Sequence, residues 1–136
     1  MPDTKLIDAA KKAYSFAYSP YSGYRVGAAI LGENEKIYDG CNVENVSFGA
    51  TICAERSAIV QMVSEHCRVI KEVVIYSKDG GKPCGICRQV LSEFIPDKTK
   101  VMVHCVDVNE KVHSYTFNEL FPDAFNSESI IRQEEL

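Results

Sequence analysis

Three cysteines constrain this chain more than any other feature: Cys53 in Cys53-Ala-Glu55, and the pair in Pro83-Cys-Gly-Ile-Cys87. Three thiolates at this spacing can take three corners of a zinc tetrahedron and leave the fourth to water. An open corner marks a catalytic site, whereas a structural site is closed by a fourth protein ligand. Two helix starts that face one another could gather the three sulphurs around one ion. Helix starts suit this, because their free amide donors and partial positive charge favour thiolate. The same cysteines admit plainer readings, as buried small residues or as a redox Cys-x-x-Cys pair. The pair does not follow a strand directly, and a third thiol begins another helix, which weakens the redox reading. A closed site would need Cys41, Cys67 or Cys105 as fourth ligand, and none sits in a second Cys-x-x-Cys.

Glu55 lies two residues past the first thiol. It complements the dipole of a helix start. Beside a metal ligand it is also placed to take a proton from a metal-bound water and hand it on to the reacting group. Arg56 is a solvated helix residue or a guanidinium that donates to the thiolates, offsetting the excess charge of three sulphurs around one Zn²⁺. Asn42-Val-Glu44 reads as an Asx-type turn with a solvated Glu, or as an amide and carboxylate gripping a sugar diol. Phe125 stands in a polar tail, either as a minor core anchor or as a lid over a planar base.

The chain has 136 residues, enough for one domain spanning 1–136. Its net charge of −4 argues against general nucleic-acid binding. The N-terminus lacks a signal-peptide core and no apolar run approaches membrane-spanning length, so a cytoplasmic protein with no membrane partner is expected. In a reducing compartment six cysteines point to metal binding or burial rather than to disulfides.

Asp3 or Thr4 caps a first helix with Leu6, Ala10, Ala13, Tyr14 and Ala17 at helical spacing. Tyr24–Leu31 and Lys36–Cys41 read as an antiparallel hairpin. A helix is expected over about Thr51–His66, with Ala54, Ala58, Ile59 and Met62 inward. Val69–Tyr76 is a strand. Pro83 opens a helix to about Phe94, with Ile86, Val90, Leu91 and Phe94 inward. Val101–Val106 and Val112–Thr116 are strands, Phe117–Phe121 is a short helix, and a polar tail follows. Interleaving makes the class α/β: a mixed sheet of about five strands with helices on both faces, a three-layer α/β/α sandwich.

Taken together, Pro20-Tyr-Ser22, Val26-Gly-Ala-Ala29, Gly40-Cys-Asn-Val-Glu-Asn45, Cys53-Ala-Glu-Arg-Ser-Ala58, Pro83-Cys-Gly-Ile-Cys-Arg-Gln-Val90 and Ala124-Phe125 resemble the short, tetramer-forming cytidine deaminases. The resemblance implies hydrolytic deamination of cytidine and 2′-deoxycytidine to the uridines, with release of ammonia, in pyrimidine salvage. It implies one Zn²⁺ per chain on Cys53, Cys84 and Cys87, with Glu55 catalytic. Tyr24, Asn42, Glu44, Ala54 and Phe125 would bind substrate, Phe125 reaching over from a neighbouring subunit of a homotetramer with shared sites. Two positions depart from the family pattern: Tyr24, usually Phe, and Phe48, commonly Tyr. Blasticidin S deaminase is the alternative of like chemistry. A non-catalytic zinc-stabilised interaction domain is the alternative of another class.

Overall fold

The computed structural model describes residues 2–130; the last six residues of the expected polar tail lie outside them. The elements run α1 (Thr4–Ser15), β1 (Val26–Gly32), β2 (Ile37–Cys41), α2 (Ala54–Ser64), β3 (Ile70–Ser77), α3 (Gly85–Glu93), β4 (Met102–Val106), β5 (Val112–Thr116) and α4 (Phe117–Leu120). The strands form one sheet in the order β2-β1-β3-β4-β5. β3 and β4 are parallel across the α3 connection, and every other neighbouring pair is antiparallel.

Alternation along the strands fills both faces. Ile30, Val73, Ile75, Val103 and Cys105 pack with Ala58, Ile59 and Met62 of α2 and Leu91 of α3. Ala29, Val74, Tyr76 and Val106 pack with Leu6 and Ala10 of α1. The result is the expected three-layer α/β/α arrangement, with α1 alone on one face. Two glycines let helices lie close on the sheet. A Cβ on Gly27 would stand 2.0 Å from the Ala10 carbonyl oxygen, and one on Gly40 would stand 2.5 Å from the Ala58 nitrogen. On the α1 face, buried His104 is held by Glu72 at 2.6 Å and Ser114 at 2.7 Å.

Three element starts lie two or more residues from the sequence expectation, and one side chain differs in burial, each for a local reason. β1 begins at Val26 because Tyr24 is tied by side chains instead of a ladder: its N–H donates to Ser22 Oγ and its carbonyl accepts from Asn42 Nδ2. α2 begins at Ala54 because Ile52 exchanges two backbone bonds with Val43. Pro83 precedes the cap of α3 rather than opening its first turn, since the Cys84 sulphur caps that helix by accepting from the Cys87 N–H at 3.5 Å. Ile86, expected inward, is exposed. It sits five positions from Leu91, about 140° round the helix, while Cys87 and Leu91 share the inward stripe.

Candidate active site

The starts of α2 and α3 meet on one side of the sheet. Cys53 is the N-cap of α2, Cys84 the N-cap of α3, and Cys87 lies in the first turn of α3. Their three sulphurs lie within 4.8 Å of one another, the only such metal-competent group among the described residues. Cys53 and Cys84 are 3.8 Å apart. Neither Cys41, Cys67 nor Cys105 joins them, so no fourth thiol closes the site.

The electrostatics of the group test whether a cation belongs there. The Cys53 thiol is pulled down to about 5, first by its hydrogen bond with Cys87 and then by Arg56. Cys87 moves the other way, held protonated by that same pairing and by burial. One sulphur therefore ionises at the expense of its neighbour, and a divalent ion among them removes the conflict. Soft thiolates in a three-sulphur cradle fit Zn²⁺. Arg56 Nη2 donates to Cys53 Sγ at 3.6 Å and to the Thr51 carbonyl at 3.3 Å. Its Nε has no hydrogen-bond partner among the described residues despite being buried.

Beside the sulphurs opens a pocket of about 300 Å³, at the lower end of the range for small-ligand sites. Its walls include Ser22, Tyr24, Asn42, Glu44, Thr51, Ala54, Glu55, Ser77, Gly81, Lys82, Cys53 and Cys84. Glu55 is 4 % exposed, and burial pushes its carboxyl up to about 7, helped by the nearby Cys53 charge. A group with that value both takes and gives a proton near neutrality.

The residues expected to bind substrate divide into two sets. Tyr24, Asn42, Glu44 and Ala54 all line the pocket. Asn42 is buried, its amide oxygen accepting from the Val26 N–H at 2.9 Å and its NH₂ donating to the Tyr24 carbonyl at 2.8 Å. Glu44 Oε1 accepts from the Tyr21 and Ser22 N–H groups at 2.9 and 3.1 Å, and its Oε2 from the Ser22 hydroxyl. These bonds hold its carboxyl below the usual carboxylate range, the Ser22 hydroxyl contributing most. Phe125 does not line this chain's own pocket. Its ring is exposed, and its carbonyl accepts from Gln89 Nε2 of α3 at 3.0 Å. Phe48 is exposed and meets Tyr21 edge-on at 5.6 Å, beside a second hollow next to the first.

Sequence reasoning gave no role to Ser22, Ser77, Gly81 or Lys82. Ser77 ends β3, and the carboxyl ends of parallel strands are where α/β sheets place ligands. That rule flags Ser77 and the loop after it. Ser22 had no comparable signal, because its partner Glu44 lies 22 residues away.

A mixed sheet that brings two helix starts together, three thiols in a zinc-competent cradle and a buried carboxylate on a small pocket define a zinc-dependent deaminase. Residues 1–117 match the family described as the cytidine and deoxycytidylate deaminase zinc-binding region, and the chain belongs to that family. It is 40% identical over 128 residues to the cytidine deaminase of Sporosarcina psychrophila, covering 93% of each chain. It is also 40% identical over 134 residues to a probable cytidine deaminase of Dictyostelium discoideum, covering 96% of this chain and 88% of that one. Among solved structures it is similar to the cytidine deaminase of Burkholderia pseudomallei, with TM-score 0.83 and 37% identity, covering 92% of this chain and all of that one.

Proposed function

We propose that this chain hydrolyses cytidine and 2′-deoxycytidine to uridine and 2′-deoxyuridine, releasing ammonia. The observation that carries this reading is Glu55, a buried carboxyl with its value raised to about 7, on the pocket wall beside the three sulphurs. Zinc on Cys53, Cys84 and Cys87 supplies a Lewis acid that makes water a nucleophile near neutral pH. Glu55 takes the proton from the attacking water as the new bond forms to C4 of the base. It delivers that proton to the ring nitrogen, then takes the second proton from the new C4 hydroxyl and passes it to the amino group, so that C4=O forms, the bond from C4 to the amino nitrogen breaks and ammonia leaves. Burial of Glu55 keeps bulk water from competing for the proton. Asn42 and Glu44 face the pocket from the opposite segment and offer an amide donor and a carboxylate acceptor to the sugar hydroxyls. Tyr24 supplies an aromatic wall.

Three finer readings complete the proposal. The active form is a homotetramer whose sites are shared, with Phe125 of one subunit reaching the base bound by another. Support comes from the exposed ring of Phe125, which stands away from its own pocket, and from the exposed Phe16, Val46, Phe48, Val60 and Ile86. The setting is pyrimidine salvage in the cytoplasm, in keeping with six free thiols. Among the described residues no helix is long and apolar enough to cross a membrane, and the acidic balance of the chain fits a small nucleoside rather than a nucleic acid.

The test is the loss of cytosine absorbance across a panel of cytidine, 2′-deoxycytidine, cytosine, cytidine monophosphate and blasticidin S, with zinc measured on the same sample. Turnover confined to the two nucleosides, at one zinc per chain, is expected. Turnover of blasticidin S alone, or zinc binding with no turnover at all, would refute the reading.

A further inference from the structure

The Tyr24 hydroxyl does not point idle into solvent. It donates to Asp79 Oδ1 at 2.5 Å, from the segment ahead of β1 to the loop after β3. The same carboxylate oxygen accepts the Gly81 N–H at 3.2 Å and the Ser77 hydroxyl at 3.5 Å. Gly81 N–H is shared with Ser77 Oγ at 3.1 Å. The loop is thus wrapped around one carboxylate that the Tyr24 hydroxyl completes. Gly81 leaves room for the pair: a Cβ there would stand 3.0 Å from the Tyr24 hydroxyl and 3.4 Å from Asp79 Oδ1. On the other side, the Tyr24 N–H donates to Ser22 Oγ at 3.0 Å, and Ser22 donates in turn to Glu44. Bonds therefore run from Glu44 through Ser22 and Tyr24 to Asp79 and Gly81, five residues on three segments: the one ahead of β1, the one after β2 and the loop after β3.

We propose that Asp79 is a positioning residue: through the Tyr24 hydroxyl it fixes the aromatic wall of the pocket and fastens the loop leading to Cys84 against the segment that holds Glu44. The proposal rests on the reading of this pocket as the nucleoside site. Asp79 itself is not on the pocket wall and touches no reacting atom. Its charge makes the bond from Tyr24 a strong one, and Tyr24 is the largest contributor to holding the Asp79 carboxyl below its usual range. Tyr24 is part-exposed and Asp79 is solvated, so breaking the pair leaves no buried orphan. What is lost is order. A pocket whose two flanks are untied must be ordered by the substrate when it binds, and that cost appears as weaker binding.

The experiment is a double-mutant cycle on the zinc-loaded, full-length enzyme, with Tyr24→Phe, Asp79→Ala and the double variant. Each single change is expected to raise KM for cytidine about three- to tenfold, the range a hydrogen bond to a charged partner commands in a part-exposed site. kcat should fall by less than KM rises. The double variant should stay within about twofold of the worse single one, because both remove the same bond. Asp79→Asn retains an acceptor oxygen and should recover part of the KM lost in Asp79→Ala. Single effects that multiply in the double variant, or a Tyr24→Phe enzyme with wild-type KM, would overturn the proposal. So would a fall in Tm with KM unchanged, which is the mark of a purely structural tie. Zinc-loaded wild type measured alongside separates the two readings: with no turnover on cytidine the nucleoside reading itself falls, and the proposal with it.

Discussion

Charge is unwelcome on the Glu55 side chain, 4 % exposed in the first turn of α2. Without metal, burial lifts its carboxyl from the usual 4.5 to about 7. The folded chain then holds a proton that the unfolded chain has released. The stability this group contributes is full below about pH 4.5 and is lost as pH rises through about 7, a shift worth about 3 kcal/mol. Glu55→Gln removes the titration. In chelator-treated protein the variant should unfold at higher denaturant than wild type at pH 8, and the gap should close by pH 4. Equal midpoints at pH 8 would mean that the carboxylate is solvated after all. With zinc restored, the same variant should keep its metal and lose turnover by 10²–10⁴-fold, the usual worth of a proton-transfer group; a loss below about tenfold would reduce Glu55 to a helix-dipole residue. Glu55 and the three cysteines were legible in the sequence because their chemistry is written in short spacings. Asp79 was not, because what gives it meaning is Tyr24, 55 residues away. Cys67 was silent for a similar reason. It is the residue that follows the left-handed turn closing α2, and it is buried there against the core.

Elements test differently, because they carry the site without touching it. Gly40 in β2 lets the first turns of α2 lie on the sheet, and a Cβ there would press on Ala58 N, Ser57 Cβ and Ala54 O at 2.5 to 2.8 Å. Two of those atoms are backbone and cannot step aside. Gly40→Ala should therefore cost about 1–3 kcal/mol by overpacking. It should also lower zinc affinity, since α2 can yield only by moving Cys53. Denaturant midpoints with metal titration check both, and unaltered zinc affinity would show that the helix start is held elsewhere. The other end of α2 invites the opposite change. His66 adopts φ 66°, and its N–H bonds to the Val63 carbonyl while the Cys67 N–H bonds to that of Met62, a Schellman closure. Glycine is at ease in that conformation, so His66→Gly should stabilise the chain by up to about 1 kcal/mol, read as a higher unfolding midpoint. A lower midpoint would mean that the imidazole makes a contact worth more than the backbone strain. Periodicity located β1 to β5 and α1 to α4 but neither of the single 3-10 turns at Phe48–Ala50 and Ser127–Ser129. It misplaced the starts of α2 and α3, because Ile52 pairs with Val43 and the Cys84 sulphur acts as a cap, neither of which follows from hydrophobic spacing. Ile86 was drawn inward by its apolar character alone, whereas the helix phase set by Cys87 and Leu91 turns it outward.

At the scale of the whole molecule, the three-layer arrangement was legible because both faces of the sheet alternate cleanly between α1 and the α2–α3 pair. The assembly was not, since a polar tail bearing one aromatic ring gives no geometry of its own. If Phe125 completes a neighbour's site, mixed tetramers of Phe125→Ala and Glu55→Gln subunits should recover turnover that neither parent shows, some sites then combining an intact Glu55 with an intact Phe125. Absence of recovery in verified mixed tetramers would mean that Phe125 acts within its own chain or not at all. The metal cradle acts at this scale too. Cys53 and Cys84 are 31 residues apart, with α2 and β3 strung between them. In polymer terms, an ion holding both ends is a reversible cross-link. Fastening a loop of that length restricts the unfolded chain by about 4 kcal/mol if it acts as a disulfide would. Chelation should accordingly lower the unfolding midpoint of the wild-type chain, and of Glu55→Gln, whose ligands are intact, by a similar margin. The ion that serves the chemistry would then also be the clasp on the middle stretch of the chain, fastened only where zinc can be had.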